Sequence, residues 1–363
     1  MRTIPYRDLS VNDPVLKKLL LDAVDRVLSH GRLILGPEVE TLEHRVAEYC
    51  EKKYAVGVNS GTDALYFALR SLDIGPGDEV ITTPLSWIAT VNAITLAGAT
   101  PVFVDIGEDL NINPQLIEDV VSSRTKAILP VHFTGKMCDM VKINEIAQKH
   151  GLKVIEDASQ AFGAKRDGHV AGSVGDVNCF SLNAMKVLNA YGEAGIIVTD
   201  DGHVSDKLVS LRYAGTINKE DCHYPSFNGR IDTIQAAMVL VELDRLKDKI
   251  SRLREIATIY KTHLHDSVRC PDEEGSFHAY YSYTVLSENR DGLRDHLLAK
   301  GIETKIQHPI LMPYHTAYKG KFCPKIPVAE KRVKQILCLP NHEKLSDEDV
   351  FHVIDAVKSF FGS

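Results

Sequence analysis

Short runs of β-branched and apolar residues alternate with helix-length stretches between residues 54 and 200. The seven β-rich runs are YAVGVN, DEVITTP, TPVFVDI, TKAILPVHF, LKVIEDAS, VNCFSL and AGIIVTD, and helical spacings at 62–72, 87–97 and 141–150 separate several of them. Strands that alternate with helices form βαβ units, in which helices cover both faces of a largely parallel sheet. The sequence therefore predicts an α/β fold with a mainly parallel mixed sheet between helices.

Two amphipathic helices are predicted ahead of these runs. Asp13 and Pro14 form a cap and first-turn pair for the first helix. The apolar faces are expected at Val15, Leu19, Val24 and Val27 in the first helix, and at Val39, Leu42, Val46 and Tyr49 in the second.

A long helical stretch at 232–263, either whole or broken near residue 250, separates two patterns. Beyond it the pattern becomes α+β, with strands YYSYTVLS, IETKIQ and ILCLP, a helix RDGLRDHLLAKG, and a closing helix capped near Ser346. We expect a large domain over 1–245 and a smaller C-terminal domain over 246–363.

Composition excludes several classes of protein. A chain of 363 residues that is 44% hydrophobic can bury a large core, and its net charge of -7 is dispersed, which argues against nucleic-acid or anionic-membrane partners. The seven cysteines are far apart, and no Cys-x-x-Cys pair occurs, so we expect reduced thiols, no metal site and a cytoplasmic location. Neither a signal peptide nor a run of roughly 18 apolar residues is found.

The segment VNSGTDALYFAL predicts a strand followed directly by a helix. Backbone N–H groups and a hydroxyl at Ser60, Gly61 and Thr62 would meet at the positive end of the helix dipole, where a phosphate is favoured. The alternative is that Ser60 or Thr62 only caps the helix.

In KVIEDASQAFG, two carboxylates lie at the carboxyl end of a strongly apolar strand. This is the edge where open α/β sheets bind their ligands, so Asp157 is a candidate partner for a cationic group. A helix cap or a structural ion pair is the alternative for Glu156 and Asp157. Gln160 follows on the same side of a helical turn and could bond a ligand held by Asp157.

Lys186 lies in SLNAMKVLNAYGEAG, among small and apolar residues. A lysine in such surroundings is either a snorkelling or ion-paired side chain, or an amine that loses its proton and forms an imine with an aldehyde. Ser181 offers a hydroxyl for the same phosphate as Thr62. A phosphate cradle, a strand-end aspartate and a buried amine are the three groups that pyridoxal 5'-phosphate requires.

That cofactor assigns a role to each group. Asp157 would keep the pyridine nitrogen protonated, and Lys186 would hold the aldehyde as an imine and later move a proton between the substrate carbon and the cofactor carbon. Trp87, the only tryptophan, could stack on the pyridine face, or it could belong to the core.

Four motifs in this order, SGTDALYFAL, VIEDASQAFGA, SLNAMKVLNAYGEAGIIVTDD and FNGRIDTIQAAMV, resemble those of the DegT/StrS family of pyridoxal-phosphate sugar aminotransferases. The resemblance covers essentially the whole chain. It implies the fold-type I aminotransferase architecture, with a large cofactor-binding domain, a smaller C-terminal domain, and a homodimer whose active sites lie at the subunit interface.

The resemblance also implies roles for individual residues. Lys186 matches the imine lysine, Asp157 the pyridinium partner, Gln160 the residue beside the ring hydroxyl, and Trp87 the stacking aromatic. The remaining implied cofactor ligands are Gly61, Thr62 and Ser181 at the phosphate, Asn228 reaching it from the other subunit, and Asn183 where the family often has histidine. The implied substrate contacts are Arg230, His308, His315 and Tyr318.

We therefore expect an aminotransferase that moves an amino group from glutamate to the keto carbon of a nucleotide-linked sugar, with pyridoxamine 5'-phosphate formed during turnover. Amination of a sugar phosphate or a cyclitol ketone, and a regulator that binds the cofactor without turnover, remain open.

The dehydratase branch of the family replaces the lysine with histidine, whereas Lys186 is present here. A dinucleotide-binding glycine motif is not supported, because GPGDEV precedes a strand instead of joining a strand to a helix. A P-loop is not supported either, because TGKM lacks its glycines and hydroxyl.

Overall fold

The computed structural model describes residues 3–273 and 275–362 of the chain. The helices are α1 (Pro14–His30), α2 (Pro37–Tyr49), α3 (Gly61–Ser71), α4 (Ala89–Leu96), α5 (Met140–His150), α6 (Gly202–Arg212), α7 (Thr233–Leu264), α8 (Arg290–Ala299), α9 (Pro327–Arg332) and α10 (Asp347–Phe361). The strands are β1 (Tyr54–Val58), β2 (Glu79–Thr82), β3 (Thr100–Phe103), β4 (Thr125–Leu129), β5 (Lys153–Asp157), β6 (Lys165–Arg166), β7 (His169–Val170), β8 (Val177–Ser181), β9 (Gly195–Thr199), β10 (Thr216–Ile217), β11 (Asp221–Cys222), β12 (Ser276–Phe277), β13 (Tyr283–Leu286) and β14 (Ile336–Leu339).

A seven-stranded sheet in the order β1-β9-β8-β5-β4-β2-β3 forms the centre of the fold. The strand β9 pairs antiparallel with β1 and β8, and all the other neighbours in this sheet pair parallel. The predicted mainly parallel mixed sheet is confirmed, and its seven strands are the seven runs identified in the sequence.

Helices cover both faces of this sheet because successive strand side chains point to opposite sides. Along β4, Ile128 packs into a cluster with α2, α5 and α7, whereas Ala127 and Leu129 pack with α3, α4 and α6. The sheet is thus the middle layer of three. Segments of the C-terminal region pack over the carboxyl ends of its parallel strands.

The helix α7 runs unbroken for 32 residues, so the possible break near residue 250 is absent. It contacts α1 and α2 on one side and α10 on the other. The expected boundary between residues 245 and 246 falls inside this continuous helix. That division of the chain stays a prediction, and its terminal residues 1, 2 and 363 lie outside the described residues.

The predicted apolar face of α1 is confirmed at Val27 and wrong at Val15 and Leu19, and Val24 is half-buried. The structure buries Leu16, Leu20, Ala23 and Val27 and leaves Val15 and Leu19 at 66% and 46% exposure. The sequence LKKLLLDAVDRVL has apolar residues on more than one side, and packing against α7 decides which side is buried. In α2 the prediction holds for Val39, Leu42 and Val46, whereas Tyr49 is only half-buried.

Two predictions in the C-terminal region have different outcomes. Ser346 caps α10 in a capping box with Asp349, as the sequence suggested. The predicted strand IETKIQ is wrong, because Ile302 and Lys305 form only isolated bridges to Ile4 and Cys338. A strand needs a continuous ladder of partners, which this segment does not have.

Other features of the described residues bear on the class of protein. All seven cysteines are free thiols. Within residues 3–273 and 275–362, no helix combines the length and hydrophobicity needed to span a membrane. No group of three or more His, Cys, Asp or Glu side chains in the same ranges could hold a metal ion.

We expect acid to destabilise the fold partly through His278. This side chain is 1% exposed and stacks on Tyr280 at 4.1 Å. Burial, with nearby Lys136 and Arg254, lowers the pKa of His278 to about 3. Between pH 6.5 and pH 3 the unfolded chain therefore binds a proton that the native chain does not. As the pH is lowered through this range, the free energy of unfolding decreases by up to about 1.4 kcal/mol per pH unit.

Denaturant unfolding of the cofactor-free protein at pH 7 and pH 5 tests this expectation. His278→Gln should reduce the pH dependence, while His203→Gln, at an exposed position on α6, should retain the wild-type slope. Equal slopes for wild type and His278→Gln would contradict it.

Candidate active site

A cavity of about 420 Å³ lies at the carboxyl edge of the central sheet. Its walls come from the residues that follow β1, β2, β5 and β8 and from two segments of the C-terminal region. This volume is within the range of small-molecule sites, roughly 300–1,000 Å³. The position agrees with the rule that open α/β sheets bind ligands beyond their strand ends.

Ten of the residues singled out in the sequence line this one cavity. They are Ser60, Gly61, Thr62, Trp87, Asp157, Gln160, Ser181, Asn183, Lys186 and His308. Four others, Asn228, Arg230, His315 and Tyr318, are not part of its lining.

The N-terminus of α3 forms one end of the cavity. Ser60 is the cap, because its hydroxyl accepts a hydrogen bond from the N–H of Asp63 at 3.1 Å. Within the described chain Thr62 does not cap the helix, so its hydroxyl and the first-turn N–H groups are available to an anion. A Cβ on Gly61 would lie 2.5 Å from Cβ of Ser181, so only glycine lets the helix end approach Ser181 this closely.

Asp157 lies in the interior wall of the cavity and is 3% exposed. The hydroxyl of Thr90 donates to its Oδ2 at 3.0 Å, and the N–H of Ser159 donates to its Oδ1 at 3.2 Å. Both bonds stabilise a carboxylate and fix its orientation. A buried acceptor at this depth suits a ligand that carries a proton on a ring nitrogen.

The neighbouring Glu156 has a structural role. Alternation along β5 turns it to the other face, where His132 lies 2.8 Å away and the N–H groups of Gly172, Val174 and Gly175 donate to it. Burial opposes the charge of this carboxyl, but His132 and the N–H groups of Gly172 and Gly175 lower its pKa below the ordinary value. Of the two candidate carboxylates, only Asp157 faces the cavity.

Gln160 presents its amide nitrogen to the cavity. Its Oε1 accepts hydrogen bonds from the N–H of Thr134 at 3.0 Å and from Nε2 of Gln307 at 3.1 Å. Because the oxygen is occupied, the NH₂ group is the part left for a ligand. Gln160 can therefore donate to an anionic oxygen.

Lys186 lies on a turn organised by Asn183. The Asn183 carbonyl accepts from the N–H of Lys186, its Oδ1 accepts from Met185, and its Nδ2 donates to Glu193 at 2.6 Å. The Lys186 amine lies 4.6 Å from the ring centroid of Tyr281, inside the wall of the cavity. Lys186 and Asp157 thus line the same cavity, as the covalent interpretation requires.

Trp87 and His308 form the rim. Trp87 is 60% exposed, and its ring centroid is 5.8 Å from that of His308, which also packs on Phe133. Burial, followed by the charges of Lys186 and Lys305, lowers the pKa of His308 to about 3, so this imidazole is neutral near pH 7. An exposed tryptophan in a cavity is free to stack on a flat ligand.

Two candidate substrate contacts lie elsewhere in the single chain. Tyr318 is 8% exposed, and its hydroxyl is bonded to Asn92 at 2.6 Å and to Thr95 at 2.9 Å, so this side chain packs against α4 and does not face the cavity. The ring of His315 bonds the carbonyl of Ile310 at 3.2 Å. The loop around them folds back on α4, which the motif alone did not reveal.

Asn228 and Arg230 also lie outside the cavity. Asn228 is exposed and bridges to Tyr213, and the Arg230 guanidinium lies 4.2 Å from the Tyr213 ring centroid. Neither side chain lines the cavity of its own chain.

Several residues of the cavity were not found from the sequence. Thr90, Glu193, Tyr281 and Lys305 line it. Thr90 follows Trp87 by one helical turn, a spacing that could have identified it. Lys305 begins the segment KIQHPILMPYHTAY, which the resemblance implies as part of the substrate pocket, although only His308, His315 and Tyr318 were singled out in it. Tyr281 lies in a segment that carries no binding motif.

The fold and the cavity together define the class of protein. A mainly parallel sheet, with a lysine, a buried aspartate and a helix N-terminus around one cavity at its carboxyl edge, is the fold-type I transferase arrangement. The chain belongs to the DegT/DnrJ/EryC1/StrS aminotransferase family, whose model matches residues 14–358.

The relatives that this chain resembles include one named as a transaminase and one named as a regulatory protein. The chain is 39% identical to a dTDP-3-amino-3,4,6-trideoxy-alpha-D-glucose transaminase of Streptomyces venezuelae, covering 98% of this chain and 96% of that protein. It is 38% identical to a "pleiotropic regulatory protein" of Geobacillus stearothermophilus, covering 99% and 98%.

Solved structures agree over the whole chain. DesV of S. venezuelae superposes with a TM-score of 0.96 at 38% identity, covering 99% of each chain. NtdA of Bacillus subtilis, solved with bound cofactor PMP, superposes with a TM-score of 0.92 at 29% identity, covering all of this chain and 85% of NtdA.

Proposed function

We propose that this protein transfers an amino group from L-glutamate to a keto group of a nucleotide-linked sugar, using pyridoxal 5'-phosphate. The observation that carries the proposal is the convergence of Lys186, Asp157 and the N-terminus of α3 on one cavity. The family and the transaminase relative support the same reaction.

The cavity fits the cofactor in size and in the order of its polar groups. Bound pyridoxal 5'-phosphate would supply an aldehyde for an amine and a ring that withdraws electrons from the substrate carbon. Gly61, Thr62 and Ser181 would hold its phosphate at the end of α3, and Asp157 its ring nitrogen. Lys186 lines the same cavity as these groups.

The remaining cavity residues orient the ring. Gln160 would donate to the ring oxygen through its free amide nitrogen, and Trp87 would stack on the exposed ring face. Asn183 holds the turn that presents Lys186, so we assign it a positioning role in cofactor binding. The Lys186 amine would bond the aldehyde at rest and carry the proton at the substrate carbon during turnover.

We propose that the active protein is a homodimer with shared sites. Asn228 lies outside its own cavity, as a residue that completes the partner's phosphate site must. Phe227, the residue before it, is 43% exposed, and Leu33 and Ile34, which contact Thr233 and Asp232, are 46% and 48% exposed. An exposed apolar group of this kind favours contact with a second copy.

A mixed dimer tests the sharing of sites. We expect the Asn228→Asp chain and the Lys186→Ala chain each to be inactive as homodimers, because a carboxylate repels the phosphate and the alanine lacks the amine. A co-expressed mixed dimer, purified through two different tags, keeps one intact site and should recover about half of the wild-type activity. Mixed dimers without activity would contradict the shared site.

For the substrate we retain His308 at the rim and Arg230 across the interface as contacts. Tyr318 is withdrawn because its hydroxyl is already bonded within the chain. His315 would contact the substrate only if its bond to Ile310 is replaced.

Two measurements test the proposed reaction. Purified protein mixed with L-glutamate should exchange the absorbance of the lysine-bonded cofactor for that of its amine form. A screen of keto sugars linked to dTDP, UDP and GDP should then restore the first spectrum for at least one of them. If only sugar phosphates or cyclitol ketones restore the spectrum of the lysine-bonded cofactor, the substrate is one of these and not a nucleotide sugar.

A regulator that binds the cofactor without turnover is the second candidate, favoured by the name of the Geobacillus relative. A regulator has no need of both Lys186 and Asp157, yet both face the cavity here. Cofactor binding without any spectral response to glutamate would favour the regulator. We place either activity in the cytoplasm, consistent with the free cysteines.

A further inference from the structure

Three cations surround Tyr281 at one side of the cavity. Lys186 lies 4.6 Å from its ring centroid, and the Arg7 guanidinium lies 5.0 Å from it and donates to its carbonyl. Lys305 lines the same cavity from the C-terminal region. Within residues 3–273 and 275–362, no carboxylate forms an ion pair with any of these three side chains.

Two nearby groups respond to the resulting positive charge. Burial alone would raise the pKa of the Tyr281 phenol, but Lys186, Arg7 and Lys305 lower it below its ordinary value. The pKa of His308 is lowered first by burial and then by Lys186 and Lys305. A phenol and an imidazole on different segments thus experience the same field, which favours an anion between them.

The acidic side chains that line the cavity, Asp157 and Glu193, form hydrogen bonds to neutral groups and no ion pair with these three cations. Asp157 is held by Thr90 and Ser159, and Glu193 is bonded to Asn183. The cofactor phosphate, in the proposed function, lies at the end of α3 and is served by backbone N–H groups and hydroxyls. The cations around Tyr281 therefore remain for an anion brought by a substrate.

We propose that Lys305 and Tyr281, with Arg7 behind them, form a binding subsite for a substrate oxyanion. This inference rests on the proposed function, because that reaction supplies two such oxyanions, the carboxylate of the amino donor and the diphosphate of the nucleotide sugar. Lys305 is exposed to the cavity and carries the charge, while the Tyr281 hydroxyl can donate a hydrogen bond beside it.

The test measures binding rather than turnover. Isothermal titration of the cofactor-loaded protein uses glutarate, a donor analogue without the amine, and dTDP and UDP, which lack the sugar. Lys305→Met removes the charge at similar length, and Lys300→Met makes the same net change at an exposed site at the end of α8. We expect Lys305→Met to weaken one probe class about tenfold or more, while Lys300→Met binds as the wild type does.

The probe class that is weakened identifies the source of the oxyanion. Weaker glutarate binding assigns the subsite to the donor carboxylate, and weaker nucleoside diphosphate binding assigns it to the nucleotide. Lys305→Arg should restore most of the affinity. Unchanged binding of every probe by Lys305→Met, an equal loss in Lys300→Met, or no binding by the wild type would each overturn the subsite.

The outcome is separable from that of the proposed function. If no keto sugar is aminated but oxyanion binding depends on Lys305, the reaction is wrong and the subsite stands. If amination proceeds and the affinity for the oxyanion probes does not depend on Lys305, the reaction stands and the subsite is wrong.

Discussion

Replacing Lys186 with alanine should reduce transamination by about four orders of magnitude or more. The variant loses both the amine that bonds the cofactor aldehyde and the base that moves the proton at the substrate carbon, and proton transfer alone contributes roughly 10²–10⁴-fold. The visible absorbance of the lysine-bonded cofactor should also vanish. Single-turnover kinetics and absorbance spectra measure both effects.

A chemical trap identifies the lysine directly. Borohydride reduction followed by peptide mass spectrometry should place the cofactor on Lys186 in the wild type. Lys305 lines the same cavity, so Lys305→Met is the matched comparison and should still be trapped at Lys186. Cofactor attached to Lys305, or a Lys186→Ala protein with normal turnover, would refute the assignment.

Replacing Asp157 with asparagine should slow transamination by about two to four orders of magnitude. The carboxylate is 3% exposed, so removing its charge leaves the protonated ring nitrogen without a buried partner, a loss of about 3–5 kcal/mol. The bonds from Thr90 and Ser159 require an acceptor, and an asparagine amide group satisfies only one of them well. Weaker cofactor binding and a changed spectrum should accompany the slower rate.

Thr90→Val separates charge from orientation. It removes the bond to Oδ2 but keeps the carboxylate and a similar volume, so we expect a loss of about tenfold, well below that of Asp157→Asn. Equal losses in the two variants would show that orientation, and not charge, is the main contribution. A normal rate for Asp157→Asn would remove Asp157 from the site.

The architecture was readable from the sequence because its strands and helices have distinct local patterns. All seven strands of the central sheet were identified, since buried parallel strands are short runs of β-branched residues. Gly61 and Asp157 were found because they lie at the carboxyl ends of predicted strands, and Lys186 because it lies among small and apolar residues shortly after another strand. The carboxyl ends of parallel strands meet at one edge, so placing the strands also brings these residues together.

Other parts depend on contacts between distant segments. In α1 the predicted face is wrong at Val15 and Leu19, because a helix with apolar residues on two sides buries the side against which a neighbour packs. Tyr318 faces α4 and not the cavity for a similar reason. Its hydroxyl bonds Asn92 and Thr95 because the loop that carries Tyr318 folds back on α4.

The sequence alone determined the sheet, its order of helices and the lysine, aspartate and glycine at the strand ends, because local periodicity encodes these features. Only the tertiary structure decided that Tyr281, Lys305 and Arg7 would gather beside Lys186. These three residues come from segments far apart in the chain and share no spacing. Their meeting is a result of packing, which no local pattern specifies.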